Sequence, residues 1–176
     1  MSAIDLAPEW LTTEWFNTPS PLSLEALRGR VVMLTAFQML CPGCVSDGLP
    51  QAQRVTATFK SSDLAVIGLH SVFEHHEAMG PNALRAFLHE YKIRFPVGVD
   101  RPDGLSLPHT MRTYGFQGTP TTLLFDRAGQ LRRHVFGHIP DLQLGAELMA
   151  LIGEQPLAQT ELTSDVNGVC APEGCR

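Results

Sequence analysis

Cys41-Pro42-Gly43-Cys44 places two thiols one helical turn apart, directly after the apolar run Val31-Val32-Met33-Leu34-Thr35-Ala36-Phe37. That order reads as the end of a strand and the start of a helix. A thiol at a helix N-terminus faces unsatisfied N–H groups and the positive end of the macrodipole, and both favour thiolate over thiol. Cys41 is therefore the expected nucleophile. Cys44 lies within reach of a mixed disulfide formed at Cys41 and can close the internal bridge, so the pair suits dithiol–disulfide exchange. A second pair, Cys170 and Cys175, ends the chain and is expected to form a second redox dithiol exchanging with the first. Two blander readings stand beside it: incidental surface thiols, or a four-thiolate zinc site completed by Cys41 and Cys44. The wide spacing of Cys170 and Cys175 speaks against zinc, and no H-x-x-x-H pair stands on a convincing helix. No metal and no cofactor are expected.

The elements that must position these thiols follow from the apolar pattern. Val31 to Phe37 is a continuous apolar run, as in a strand buried on both faces, and Leu64-Ala65-Val66-Ile67-Gly68-Leu69 is a second. A helix is expected from Pro42, kinked or divided by Gly48 and Pro50 before Gln51 to Lys60. Pro81 opens a helix whose Leu84, Phe87, Leu88 and Tyr91 share a core face. Phe95 to Val99 is a short, interrupted strand, and Thr121 to Phe125 with Leu131 to Phe136 reads as a hairpin around Asp126 to Gln130. Pro140 opens a last helix that presents Leu144, Leu148, Leu151 and Ile152 to the core and stops at Gly153.

Composition narrows the class. A chain of 176 residues with 44% hydrophobic content can bury one substantial core. The expected organisation is an extension over 1–14, one α/β domain over 15–153 and a polar tail over 154–176 carrying the second cysteine pair. A net charge of -5 with scattered basic residues excludes a nucleic-acid surface. No stretch reaches the roughly 20 apolar residues of a membrane span. The start of the chain has neither a basic n-region nor an apolar h-region, which places it in the cytoplasm unless an export signal was removed. Close cysteine pairs in that setting point to redox or metal chemistry rather than a structural disulfide framework.

Strand, Cys-Pro-Gly-Cys, helix, strand, helix, then Gly118-Thr119-Pro120-Thr121-Thr122 before a hairpin and a terminal helix resemble the thioredoxin superfamily. Leu22 to Val32 resembles the entry to the first core strand of its TlpA/ResA-like and redoxin branch. The likeness covers residues 15 to 153 and joins two motifs far apart in sequence. It implies a thioredoxin-like fold, a central mixed sheet flanked by helices. It also implies a cis Thr119-Pro120 bond beside the nucleophile, with Thr119 offering its backbone to an extended substrate. An acidic residue six positions after the nucleophile, common in that branch, is matched by Asp47, a proton-relay candidate. Two positions depart from thioredoxin itself: Leu40 stands where an aromatic usually precedes the first cysteine, and Thr35 replaces the buried acid that would accept a proton from Cys44. His70, at the end of the second strand, is the other proton-relay candidate, by position alone.

The expected function is thiol–disulfide oxidoreduction. Cys41 attacks a protein or small-molecule disulfide, Cys44 resolves it, and an upstream thiol reductant restores the pair. The alternative is a peroxiredoxin-like thiol peroxidase with antioxidant activity. That group carries a proline seven residues and a threonine or serine three residues before its peroxidatic cysteine, where this chain has Leu34 and Gln38. A third class, a non-enzymatic redox-sensing or metal-handling module, rests only on the presence of two dithiols.

Overall fold

All seven residues of β2 (Val31–Phe37) are buried, which makes it the spine of a six-stranded sheet in the order β1-β4-β3-β2-β5-β6. This is a computed structural model, and it describes residues 6–104 and 107–154. β2 pairs in parallel with β3 (Leu64–His70), from Val31↔Leu64 to Phe37↔His70, and antiparallel with β5 (Thr121–Phe125). Parallel pairing demands a crossover, and it is supplied by α1 (Leu49–Thr58). β6 (Leu131–Phe136) closes the expected hairpin on β5.

Strand alternation sends Val31, Met33 and Phe37 into one core with Leu49, Ala52, Leu84 and Leu148, and Val32, Leu34 and Ala36 into another with Trp10, Met111 and Phe116. The first core is covered by α1, α2 (Pro81–Glu90) and α4 (Asp141–Gly153), whose buried residues include Leu84, Leu88, Leu144, Leu148 and Leu151. Each fully buried Leu or Phe contributes about 2 kcal/mol. The sheet positions are therefore set by many side chains at once.

Three differences from the sequence reading have physical causes. The helix after Cys41 is not divided. Pro50 has no N–H to give to Ser46 C=O, and the turn before it widens into a π-helical stretch, Cys44–Gly48, that runs on into α1. The N-terminal extension is shorter than 1–14, because β1 (Thr12–Phe16) pairs antiparallel with β4 (Val97–Asp100) at the sheet edge. Trp10 is buried and donates to Leu22 C=O at 2.7 Å, and the Glu9 carboxylate accepts from Leu24 and Glu25 N–H at 2.8 Å each. A short helix, α3 (His109–Tyr114), was not expected from periodicity. It is held by Asp100, whose carboxylate accepts from Thr110 N–H at 2.9 Å and Met111 N–H at 3.0 Å, and Gly115 ends it at φ 67. Cys170 and Cys175 lie outside the described residues.

Candidate active site

Cys41 directly precedes Pro42, the first helical residue, so its sulfur meets the free N–H groups of the opening turn. Cys44 N–H donates to Cys41 Sγ at 3.3 Å, and the Cys41 thiol donates to Thr119 C=O at 3.3 Å. The second contact brings together motifs 78 residues apart. The Thr119–Pro120 peptide is cis. Cys41 is half-buried and Cys44 fully buried, with its thiol pushed up to about 12, first by burial and then by its hydrogen bond with the Cys41 thiol. The two thiols are thus inequivalent: one faces the surface, and the other is held protonated beneath it.

Pro120 is seated on glycines. A Cβ at Gly48 would stand 3.0 Å from Pro120 Cβ, whereas one at Gly43 would stand 3.5 Å from Pro120 Cδ, ordinary contact. Gly118 admits the Phe136 ring in the same way, since a Cβ there would meet Phe136 Cε2 at 2.9 Å. In the sequence Gly48 reads as a helix kink and Phe136 as the end of a hairpin strand, so neither contact is legible in those readings. The usable signal was the pairing of small residues with a Thr-Pro step that needs close approach.

Gln38 is a further residue whose structural part the sequence did not suggest. Its carbonyl accepts from Cys41 N–H at 3.2 Å, and its buried side-chain Oε1 accepts from Phe73 N–H at 3.2 Å and Glu74 N–H at 3.4 Å. It ties the thiol loop to the loop after β3. Between those loops runs a groove of about 270 Å³ lined by Leu40, Cys41, Phe73, Met79, Thr119 and Phe136. Leu40 and Phe136 are 57% and 53% exposed, unusual for large apolar side chains, and they flank the thiol.

Neither proton-relay candidate hydrogen-bonds Cys44 among the described residues. Asp47 is exposed on the outer side of the π turn and accepts from Ser46 Oγ at 2.5 Å. His70 is fully buried with no hydrogen-bond partner for either ring nitrogen among the described residues, and its ring lies 5.2 Å from that of Phe37. Burial pushes its imidazole down to about 4, so it stays neutral. Thr35 is buried with its hydroxyl also unpartnered. Among the described residues no group of three or more His, Cys, Asp or Glu side chains could hold a metal, and no helix is long and apolar enough to cross a membrane.

Known proteins share this fold. A crystal structure of a thioredoxin-like superfamily protein superposes with a TM-score of 0.84 at 55% identity, covering 85% of this chain and 97% of that one. A thiol-disulfide isomerase from Corynebacterium glutamicum superposes with a TM-score of 0.82 at 47% identity, covering 86% and 98%. The protein DipZ of Mycobacterium bovis is 29% identical over 127 residues, 71% of this chain, and that match spans only 17% of DipZ. The thiol-disulfide oxidoreductase ResA of Bacillus anthracis is 23% identical over 138 residues, covering 78% of this chain and 72% of ResA. Residues 5–134 match the AhpC/TSA family. With its thioredoxin-like sheet and its paired thiols at the head of the first long helix, the chain belongs to the AhpC/TSA family.

Proposed function

We propose that the protein is a thiol–disulfide oxidoreductase acting on protein disulfides. The observation that carries this reading is the position of Cys41 Sγ, 3.3 Å from both Cys44 N–H and Thr119 C=O. The Cys41 thiolate attacks one sulfur of the substrate disulfide, a Cys41–substrate bond forms, and the other substrate sulfur leaves as a thiol. Cys44 then loses its proton and attacks Cys41 Sγ, releasing the second substrate thiol. Two electrons pass to the substrate, and Cys41–Cys44 becomes the disulfide that an upstream thiol reductant reopens. In the cytoplasm the net direction is reduction. Thr119 and Pro120 form the floor on which an extended substrate lies, and exposed Leu40 and Phe136 favour apolar residues beside its cysteine.

Neither Asp47 nor His70 takes the Cys44 proton in this scheme; water or the departing substrate thiolate does. A peroxidase reading finds no support at its two diagnostic positions: Leu34 is core, and Gln38 spends its Oε1 on two backbone N–H groups. Cys170 and Cys175 serve as a second dithiol that relays electrons to Cys41, a reading that rests on sequence alone. The deciding experiment pairs insulin-disulfide reduction with hydrogen peroxide consumption on the purified protein, full length and ended at Gly153. Turnover with the disulfide and only free-thiol rates with peroxide are expected; the reverse pattern overturns the assignment.

A further inference from the structure

Strand β3 directs its backbone groups alternately to its two sides. Val31 N–H donates to Asp63 C=O at 2.9 Å and Ser71 N–H to Phe37 C=O at 3.1 Å, so the odd-numbered residues face β2. Gly68 N–H donates to Pro96 C=O at 2.9 Å, so the even-numbered ones face β4. The β3–β4 pairing runs only from Gly68↔Val97 to His70↔Val99. One step further, Val66 C=O would accept from the N–H of residue 96, but that residue is proline and has none. Val66 N–H would donate to Arg94 C=O, and no such bond is made. The ladder ends at Pro96: Leu64 N–H turns to Lys60 C=O at 3.1 Å, and on this edge of β3 the amide groups of Val66, itself only 6% exposed, have no hydrogen-bond partner among the described residues.

That edge borders a cleft of about 450 Å³, within the usual range of ligand sites. Leu64, Val66, Phe59 and Phe95 supply apolar walls, and Arg30 and Arg94 stand at its border. Among the described residues no Asp or Glu lines it, in a chain whose net charge is -5. Arg30 Nη1 donates to Ser61 C=O at 3.2 Å, whereas Arg94 is exposed. The cleft sits at the N-terminal end of β2 and β3, and Cys41 leaves the opposite end, roughly 20 Å along the strand.

We propose that this cleft binds a short, extended, acidic peptide segment of a partner protein, added as a strand to the free edge of β3 in line with β4. The peptide donates to Val66 C=O and accepts from Val66 N–H, apolar side chains enter between Leu64 and Phe95, and an Asp or Glu meets Arg94 or Arg30. An amphiphilic carboxylate would satisfy the charge and the apolar walls but leave the Val66 amide groups dry and unpaired. A peptide satisfies all three.

The test titrates the reduced full-length protein into fluorescein-labelled Gly-Glu-Val-Thr-Val-Glu-Gly, read by anisotropy, with amide hydrogen exchange on the same complex. Saturable binding, protection of the Val66 amide, and weakening of about tenfold or more in Arg94→Glu or Arg30→Glu are expected. Insulin reduction by both variants should match that of the parent, which separates this site from the thiols. Absence of saturable binding overturns the proposal, as does equal affinity for the peptide with Lys in place of both Glu. So does decanoate displacing the peptide while exchange at Val66 stays unchanged throughout.

Discussion

The two ends of the β2–β3 pair leave opposite groups unsatisfied. At the C-terminal end the backbone is tied, with Ser71 N–H on Phe37 C=O and Cys41 N–H on Gln38 C=O, while the side chains of Thr35 and His70 lack partners. At the N-terminal end the side chains pack and the backbone of Val66 is bare. A fixed backbone holds a thiol in one geometry. A bare backbone edge takes an extended chain with little regard to sequence, and bordering charges then choose among chains. Chemistry and recognition therefore ask different things of one pair of strands.

The sharpest test of the catalytic end concerns the inequivalence of its thiols. Cys41→Ser should lower insulin reduction by roughly three orders of magnitude or more, while Cys44→Ser should accumulate a mixed disulfide at Cys41. Limited alkylation with peptide mapping should label Cys41 first; earlier labelling of buried Cys44 would reverse their roles. Next in size is acid stability. The unfolded chain protonates His70 near its ordinary value of about 6.5, the folded protein only near about 4. The unfolded state therefore binds the proton first, and this contribution is lost as pH falls through that window, by about 3 kcal/mol in all. Urea unfolding across the window should show it, and His70→Leu should flatten the profile; an unchanged slope would mean His70 is solvated.

Gly48→Ala should cost about 1–2 kcal/mol by forcing Pro120 off its seat, and slow exchange at Cys41 as well. Gly43→Ala, with ordinary contact to Pro120, is the matched control, and equal losses in both would show that close packing is not the cause. The smallest effect is a gain. Thr35→Val removes a buried, unpartnered hydroxyl and should raise stability by about 1 kcal/mol in urea unfolding. A loss of similar size would mean the hydroxyl has a partner in solution.

The order of elements around the thiols was legible because it rests on local signals: unbroken apolar runs for β2 and β3, i, i+4 spacing for α2 and α4, and turn residues between β5 and β6. The nucleophile was legible for the same reason, since Cys41 lies next to a strand end and a helix start in the chain itself. Only the folded molecule decided what meets across long separations. Thr119 C=O on Cys41, Gln38 on Phe73 and Glu74, and Phe136 on Gly118 depend on which strands become neighbours. Asp47 and His70 show the converse: a plausible spacing gives no direction, and in the fold Asp47 pairs with Ser46 while the His70 ring lies tilted against Phe37, neither of them hydrogen-bonding Cys44. The bare edge at Val66 needed both kinds of information. Proline 96 is written in the sequence, but that its missing N–H falls opposite Val66 is a matter of register, which the packed faces of the sheet impose.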